Sequence, residues 1–176
     1  MKVTDTQDGL LVTGIPTKKE LEASPGYPGP EALAKGAIVV IECIQDIPCN
    51  PCESACPEGA IVVGNPITNL PVFYPEKCDA CGLCIPICPG QAIFRVDTGY
   101  TEKEATVSFP YEFLPIPEKG DVVKGVNRGG EAVCDALVLR VQQPKSYDHT
   151  AVITVAVPKE AAMEVRSMKR LPRPHR

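Results

Sequence analysis

CDACGLCIPICPG, residues 78–90, is the stretch on which the fold turns. Cys78, Cys81 and Cys84 are each separated by two residues, Cys88 follows after three more, and Pro89 stands directly behind it. Thiols at that spacing wrap one face of a four-iron cube, whose remaining thiolate must arrive from elsewhere. In the C-x2-C-x2-C-x3-C-P run the last cysteine crosses to a second cluster. Gly82 leaves backbone space beside such a group. Zinc fits poorly, because structural zinc loops pair distant C-x2-C units instead of crowding three cysteines ahead of a Cys-Pro step.

Working outward, the chain repeats itself. A shift of 32 residues lays Cys49, Cys52, Cys56 and Pro57 onto Cys81, Cys84, Cys88 and Pro89, and Ala60 and Ile61 onto Ala92 and Ile93. Each half therefore reads as a ligand loop, a Cys-Pro step, a short helical turn and an apolar strand, AIVV at 60–63 and AIFRV at 92–96. Gly64, Asn65 and Pro66 mark a turn between the halves, and PVFYPEKC reads as a strand entering the second loop. AIVVIEC at 37–43 is short and β-branched, a buried strand that completes a second hairpin.

On these motifs the chain resembles the two-cluster bacterial-type ferredoxins over roughly residues 38–97. The resemblance implies an α+β, ferredoxin-like two-cluster module with a pseudo-two-fold repeat. Carried over residue by residue, it implies one [4Fe–4S] cluster on Cys78, Cys81 and Cys84 with Cys56, and another on Cys49 and Cys52 with Cys88. One ligand is left to find. Strict register puts Asp46 where a cysteine is expected, and Cys43 lies three residues further back. Either an insertion, IQDIP, bulges out so that Cys43 ligates, or Asp46 binds iron through its carboxylate, or the site holds a three-iron cluster. Thiolate suits such iron better than a hard oxygen does, which favours Cys43. A buried strand cysteine is the plainer reading of Cys43.

Beyond the cysteine repeat the character of the chain changes. Residues 1–36 are expected to form an extended N-terminal arm, with a weak helical signal at Lys18 to Ala23 and a turn-rich SPGYPGP at 24–30. Residues 37–98 form the two-cluster module. Residues 99–158, with alternating stretches ATVSFPYEF, AVCDALVLRVQQ and TAVITVAVP, read as a small antiparallel β module or partial barrel. Residues 159–176 read as a short helix, KEAAMEVRSMKRL, and a basic tail. From Lys159 onward six basic residues face two acidic ones, so an otherwise acidic chain of net charge −4 carries a local basic end, either solvated or docking on an acidic partner.

Composition narrows the setting. Nine cysteines would suit a disulfide framework in an exported protein, but the N-terminus shows no export signal, so a reducing cytoplasm is expected. No run of about 18 apolar residues predicts a membrane span. The acidic balance argues against a nucleic-acid partner. Cys134 reads as a buried core thiol, GVNRGG at 125–130 as a hairpin turn, and His149 and His175 as solitary. Ile44, Ile47, Ile85 and Ile87 are expected to cover the clusters, and Glu42, Asp46, Glu53, Glu58, Glu76 and Asp79 to surround them with negative charge that disfavours reduction.

IECIQDIPCNPCESACPEGAI, residues 41–61, also resembles the ferredoxin-like small subunits of FAD-dependent amino-acid, opine or hydrogen-cyanide-synthase-type dehydrogenases of anaerobic bacteria. That resemblance implies a hetero-oligomer in which a flavoprotein carries FAD or FMN and this chain, holding none, relays its electrons without catalysing alone. A free-standing ferredoxin, a cluster-based redox sensor, and an enzyme with an open iron at Asp46 are the competing readings.

Overall fold

A computed structural model describes residues 8–172 of the chain. Residues 1–7 of the expected arm, and Arg173, Pro174, His175 and Arg176 of the expected basic tail, lie outside the described residues.

The arm folds into short helices separated by turns. These are α1 (Leu10–Thr13), α2 (Lys18–Glu22) and α3 (Pro30–Leu33). The weak signal at Lys18 becomes α2 because Thr17 caps it: its hydroxyl accepts the Glu20 N–H, and the Glu20 carboxylate accepts the Thr17 N–H in return. Leu21 is buried from this helix, and Gly26 packs its backbone against Ile41 and Pro71. A fourth helix, α4 (Pro51–Ala55), lies inside the first cysteine loop and starts on a proline, whose fixed φ suits a first helical turn.

β1 (Ala37–Ile41), β2 (Ile61–Val62), β3 (Val72–Phe73) and β4 (Ile93–Asp97) realise the sequence repeat as paired strands. β1 pairs antiparallel with β4, and β2 with β3. The registers match under the 32-residue shift: Ile61 opposite Phe73 corresponds to Ile93 opposite Ile41, and Val62 opposite Val72 to Phe94 opposite Val40. The ladder ends match as well, because Glu42 N–H donates to Ala92 O and Tyr74 N–H donates to Ala60 O. Gly59 and Gln91, equivalent positions after the two Cys-Pro steps, both take left-handed φ, at 61° and 52°.

The β-rich region does not stand apart from this module. β5 (Glu104–Tyr111), β6 (Val122–Val126), β7 (Ala132–Gln142), β8 (Ala151–Pro158) and β9 (Ser167–Met168) join β1 and β4 in one seven-stranded sheet, ordered β1-β4-β5-β8-β7-β6-β9. β4 pairs directly with β5, Val96 opposite Val107, so hydrogen bonding runs unbroken across residues 98 and 99. β5 and β8 are buried on both faces, and β9, paired to β6, also approaches β5, so the sheet curls on itself. One apolar core runs from Ile41 and Ile93 to Phe109, Ile153 and Val165.

The expected helix after residue 158 does not form. Lys159–Ala161 is a single 3-10 turn, and Ser167–Met168 adds an edge strand to β6. Ala161, Ala162 and Val165 are buried against the core, and tertiary packing overrides the helical composition of KEAAMEV. GVNRGG does make the β6–β7 turn, closed by Asn127, whose side-chain oxygen accepts the N–H groups of Gly129 and Glu131. Cys134 is half-buried on β7 with its sulfur beside Gly125, more open than the core position expected of it.

Candidate metal centres

Strand alternation aims side chains at two cavities under β1 and β4. Val39 and Ile41 point to one face of β1, while Val40 and Glu42 point to the other. The first cavity is lined by Cys56, Cys78, Cys81 and Cys84 together with Val39, Ile61 and Phe73. The second is lined by Cys43, Cys49, Cys52 and Cys88 together with Ile41 and Ile93. The eight cysteines singled out in the sequence thus sort into two quartets, each with one member from the other half of the repeat. Ile47 reaches the second cavity and Leu83 the first, both partly exposed, and Ile85 is buried in the core.

Cys43 reaches its cavity by alternation, two residues beyond Ile41 on the same face. An insertion is not involved, since the chain from Glu42 to Cys49 is as long as the chain from Tyr74 to Cys81. Asp46 is exposed and lines neither cavity.

The sulfurs receive backbone donors that obey the repeat. Ala60 N–H donates to Cys56 Sγ at 3.2 Å, and Ala92 N–H to Cys88 Sγ at 3.4 Å. Ala80 N–H donates to Cys78 Sγ at 3.4 Å. In the metal-free protein, burial pushes the Cys43, Cys52, Cys78, Cys81 and Cys84 thiols up, Cys52 to about 11. Neighbouring sulfurs add to this: Cys88 and Cys49 act on Cys43, and Cys78 and Cys81 on Cys84. Clustered thiols that resist ionisation give up their protons to a metal group that replaces them.

Among the described residues, no three His, Cys, Asp or Glu side chains gather closely enough for a single metal ion. Four sulfurs spread around a cavity, with N–H groups aimed at sulfur and apolar walls, fit a polynuclear iron–sulfur group.

One feature close to the second cavity was not legible in the sequence. Glu42, expected to add negative charge, is clamped by two arginines. Arg128 donates to it from Nε at 2.7 Å and from Nη2 at 2.6 Å, and Arg166 from Nε at 2.6 Å. Burial works against the Arg128 charge, and the Glu42 carboxylate outweighs it, so its pKa is raised. Burial lowers that of Arg166, although a guanidinium stays protonated in proteins. Breaking one partner of such a buried cluster costs roughly 3–5 kcal/mol. A larger cavity, about 840 Å3, lies between the arm and the β6–β7 turn, is lined by Tyr27, Leu33 and Arg128, and has no cysteine in its wall.

Residues 71–94 match the family described as 4Fe-4S binding domain. This stretch carries a 4Fe–4S ferredoxin domain, built to hold a one-electron carrier. The chain is 43% identical over 57 residues to a subunit of the ion-translocating oxidoreductase complex of Methanosarcina acetivorans, covering 32% of this chain and 19% of that one. It is 38% identical over 60 residues to the polyferredoxin protein MvhB of Methanothermobacter marburgensis, 30% of this chain and 14% of that one. It is 41% identical over 67 residues to the polyferredoxin-like subunit of aliphatic sulfonate oxidoreductase of Pyrococcus furiosus, 38% of this chain and 37% of that one. The chain thus spans well under half the length of these curated relatives. No solved structure matches it. Among the described residues, no helix is long and apolar enough to cross a membrane.

Proposed function

We propose that this chain is the electron-transfer subunit of an oxidoreductase complex and holds two [4Fe–4S] clusters. One would sit on Cys78, Cys81, Cys84 and Cys56, the other on Cys43, Cys49, Cys52 and Cys88. The observation that carries this reading is the separation of the eight cysteines into two quartets, each around its own cavity. A bound cluster supplies a reversible one-electron site. The chain's own residues hold the thiolates in place, hydrogen-bond their sulfurs and exclude water with Ile41, Ile61, Phe73 and Ile93. The ferredoxin-like fold class is favoured by the matched registers of the two hairpins.

The donor in this reading is a flavin-dependent dehydrogenase of the amine or amino-acid type, with FAD or FMN on that partner. The support for that donor is the likeness of residues 41–61 to the small subunits of such enzymes; the relatives named as subunits of oxidoreductase complexes favour a hetero-oligomer more generally. Anaerobic affinity purification from the native host tests both points. A stoichiometric flavoprotein that reduces this chain on addition of an amine or amino acid is the expected result. Recovery of the chain alone, as a freely diffusing carrier, overturns the subunit reading, and a flavin-free partner overturns the proposed donor.

A further inference from the structure

The two halves of the repeat are alike in register and in sulfur hydrogen bonds, yet their electrostatic surroundings differ. Glu42 stands at the end of the β1 ladder, one residue before Cys43, and its side chain is 6% exposed between Arg128 and Arg166, at 14% and 4%. Its counterpart in the repeat is Tyr74, exposed, with Lys77 over its ring at 4.8 Å. The face of β1 that carries Glu42 is opposite the one that carries Ile41 and Cys43. Arg166 lies on that far face, its guanidinium 5.0 Å over the Phe94 ring. Two buried guanidiniums against one carboxylate leave about one positive charge in excess. Glu164 does little to cancel it, being 3.5 Å from Arg128 and 60% exposed. Arg166 Nη2 is buried and has no hydrogen-bond partner among the described residues. Around the other cavity there is no such buried excess among the described residues: Arg95, bound to Ala80 O, is neutralised by Asp97, and Asp79, which lines the cavity, is exposed.

We propose that the Arg128–Glu42–Arg166 cluster is an electrostatic bias on one half of the repeat, selectively easing reduction of the group held by Cys43, Cys49, Cys52 and Cys88. The inference rests on the two-cluster reading above. Adding an electron to a cluster that is already anionic is opposed by its own charge, and a nearby buried cation offsets that cost. A unit charge roughly 10 Å from a site, at an effective dielectric of about 20, shifts a one-electron equilibrium on the order of tenfold. The three residues also join β1, the β6–β7 turn and the segment before β9. They act through the cluster's surroundings as positioning residues.

The test is an anaerobic redox titration of the full chain followed by electron paramagnetic resonance, with the two clusters told apart by Cys49→Ser and Cys81→Ser variants. Arg166→Gln should reduce the ratio of reduced to oxidised cluster at the Cys43 cavity about tenfold at fixed potential, equivalent to about 59 mV for one electron. Glu42→Gln should move it the other way, Arg166→Lys should leave it near the original value, and the second cluster should shift much less in each case. A loosened structure would move Arg166→Gln and Glu42→Gln in the same direction, and that result, or equal shifts at both clusters, overturns the inference. Should the unmodified chain hold a single cluster, the two-cluster reading falls first, which its iron and sulfide content shows independently.

Discussion

Alanine at Cys43 removes the one thiol of the second cavity that comes from a strand end and not from a Cys-Pro loop. Alternation along β1 aims Cys43 to the same face as Ile41, into the space shared by Cys49, Cys52 and Cys88. Without it three thiols remain, and Asp46, the other oxygen or sulfur donor considered for the site, is on the surface and outside the lining. A four-iron group with three thiolates is left open to water and oxidation. The Cys43→Ala chain should therefore fall from about eight irons and eight sulfides to about four of each, while Asp46→Ala keeps about eight. Iron and labile sulfide assayed on anaerobically purified protein, with electron paramagnetic resonance of the dithionite-reduced forms, make the comparison. Full iron in Cys43→Ala together with loss in Asp46→Ala would refute the ligand assignment. About seven irons in the unmodified chain, unchanged by Cys43→Ala, would refute it in favour of a three-iron site.

Packing and the thiol environment set three further expectations. Phe109, fully buried on β5 opposite Ile153 on β8, should cost about 3–5 kcal/mol as Phe109→Ala. Leu137→Ala, at a position 42% exposed, should cost under about 0.5 kcal/mol; comparable losses in urea denaturation would contradict the core described here. Gly26→Ala should destabilise the protein by about 1–3 kcal/mol, since the new Cβ would lie 2.9 Å from Pro71 O and 3.2 Å from Ile41 Cγ2; an unchanged unfolding midpoint would show that the arm does not press on that wall. The metal-free protein should lose stability as pH rises: burial and then Cys88 raise the Cys52 thiol to about 11 against an unfolded value of about 8.5. Its contribution is whole below about pH 8.5 and is lost toward about pH 11. Denaturation curves of apoprotein that strengthen across that range would overturn the thiol assignment.

The cysteine constellation was legible because its information is local. Spacing within a dozen residues states which thiols share a loop, and the 32-residue shift carries that pattern to the other half; the structure adds the register, Ile61 with Phe73 and Ile93 with Ile41. Strand positions around residues 37–41 and 93–97 followed from short β-branched runs for the same reason. What sequence reading missed depends on partners far apart in the chain. Arg128 and Arg166 meet Glu42 across 86 and 124 residues, so charge counting left Glu42 as a bare negative charge and Arg166 in a solvated end. KEAAMEV has helical composition, but burial of Ala161, Ala162 and Val165 and the pairing of Ser167 and Met168 with β6 hold it otherwise. The β4–β5 hairpin is different, because Val96 and Val107 lie close in the chain: alternation marks both segments as strands without stating that they pair with each other.

The most direct test of the two-cluster reading is Mössbauer spectroscopy of the anaerobically purified full chain, with iron, sulfide and zinc measured on the same sample. The expected result is about eight irons and eight sulfides per chain in two four-iron clusters, each reducible by one electron. Stoichiometric zinc without labile sulfide would contradict it.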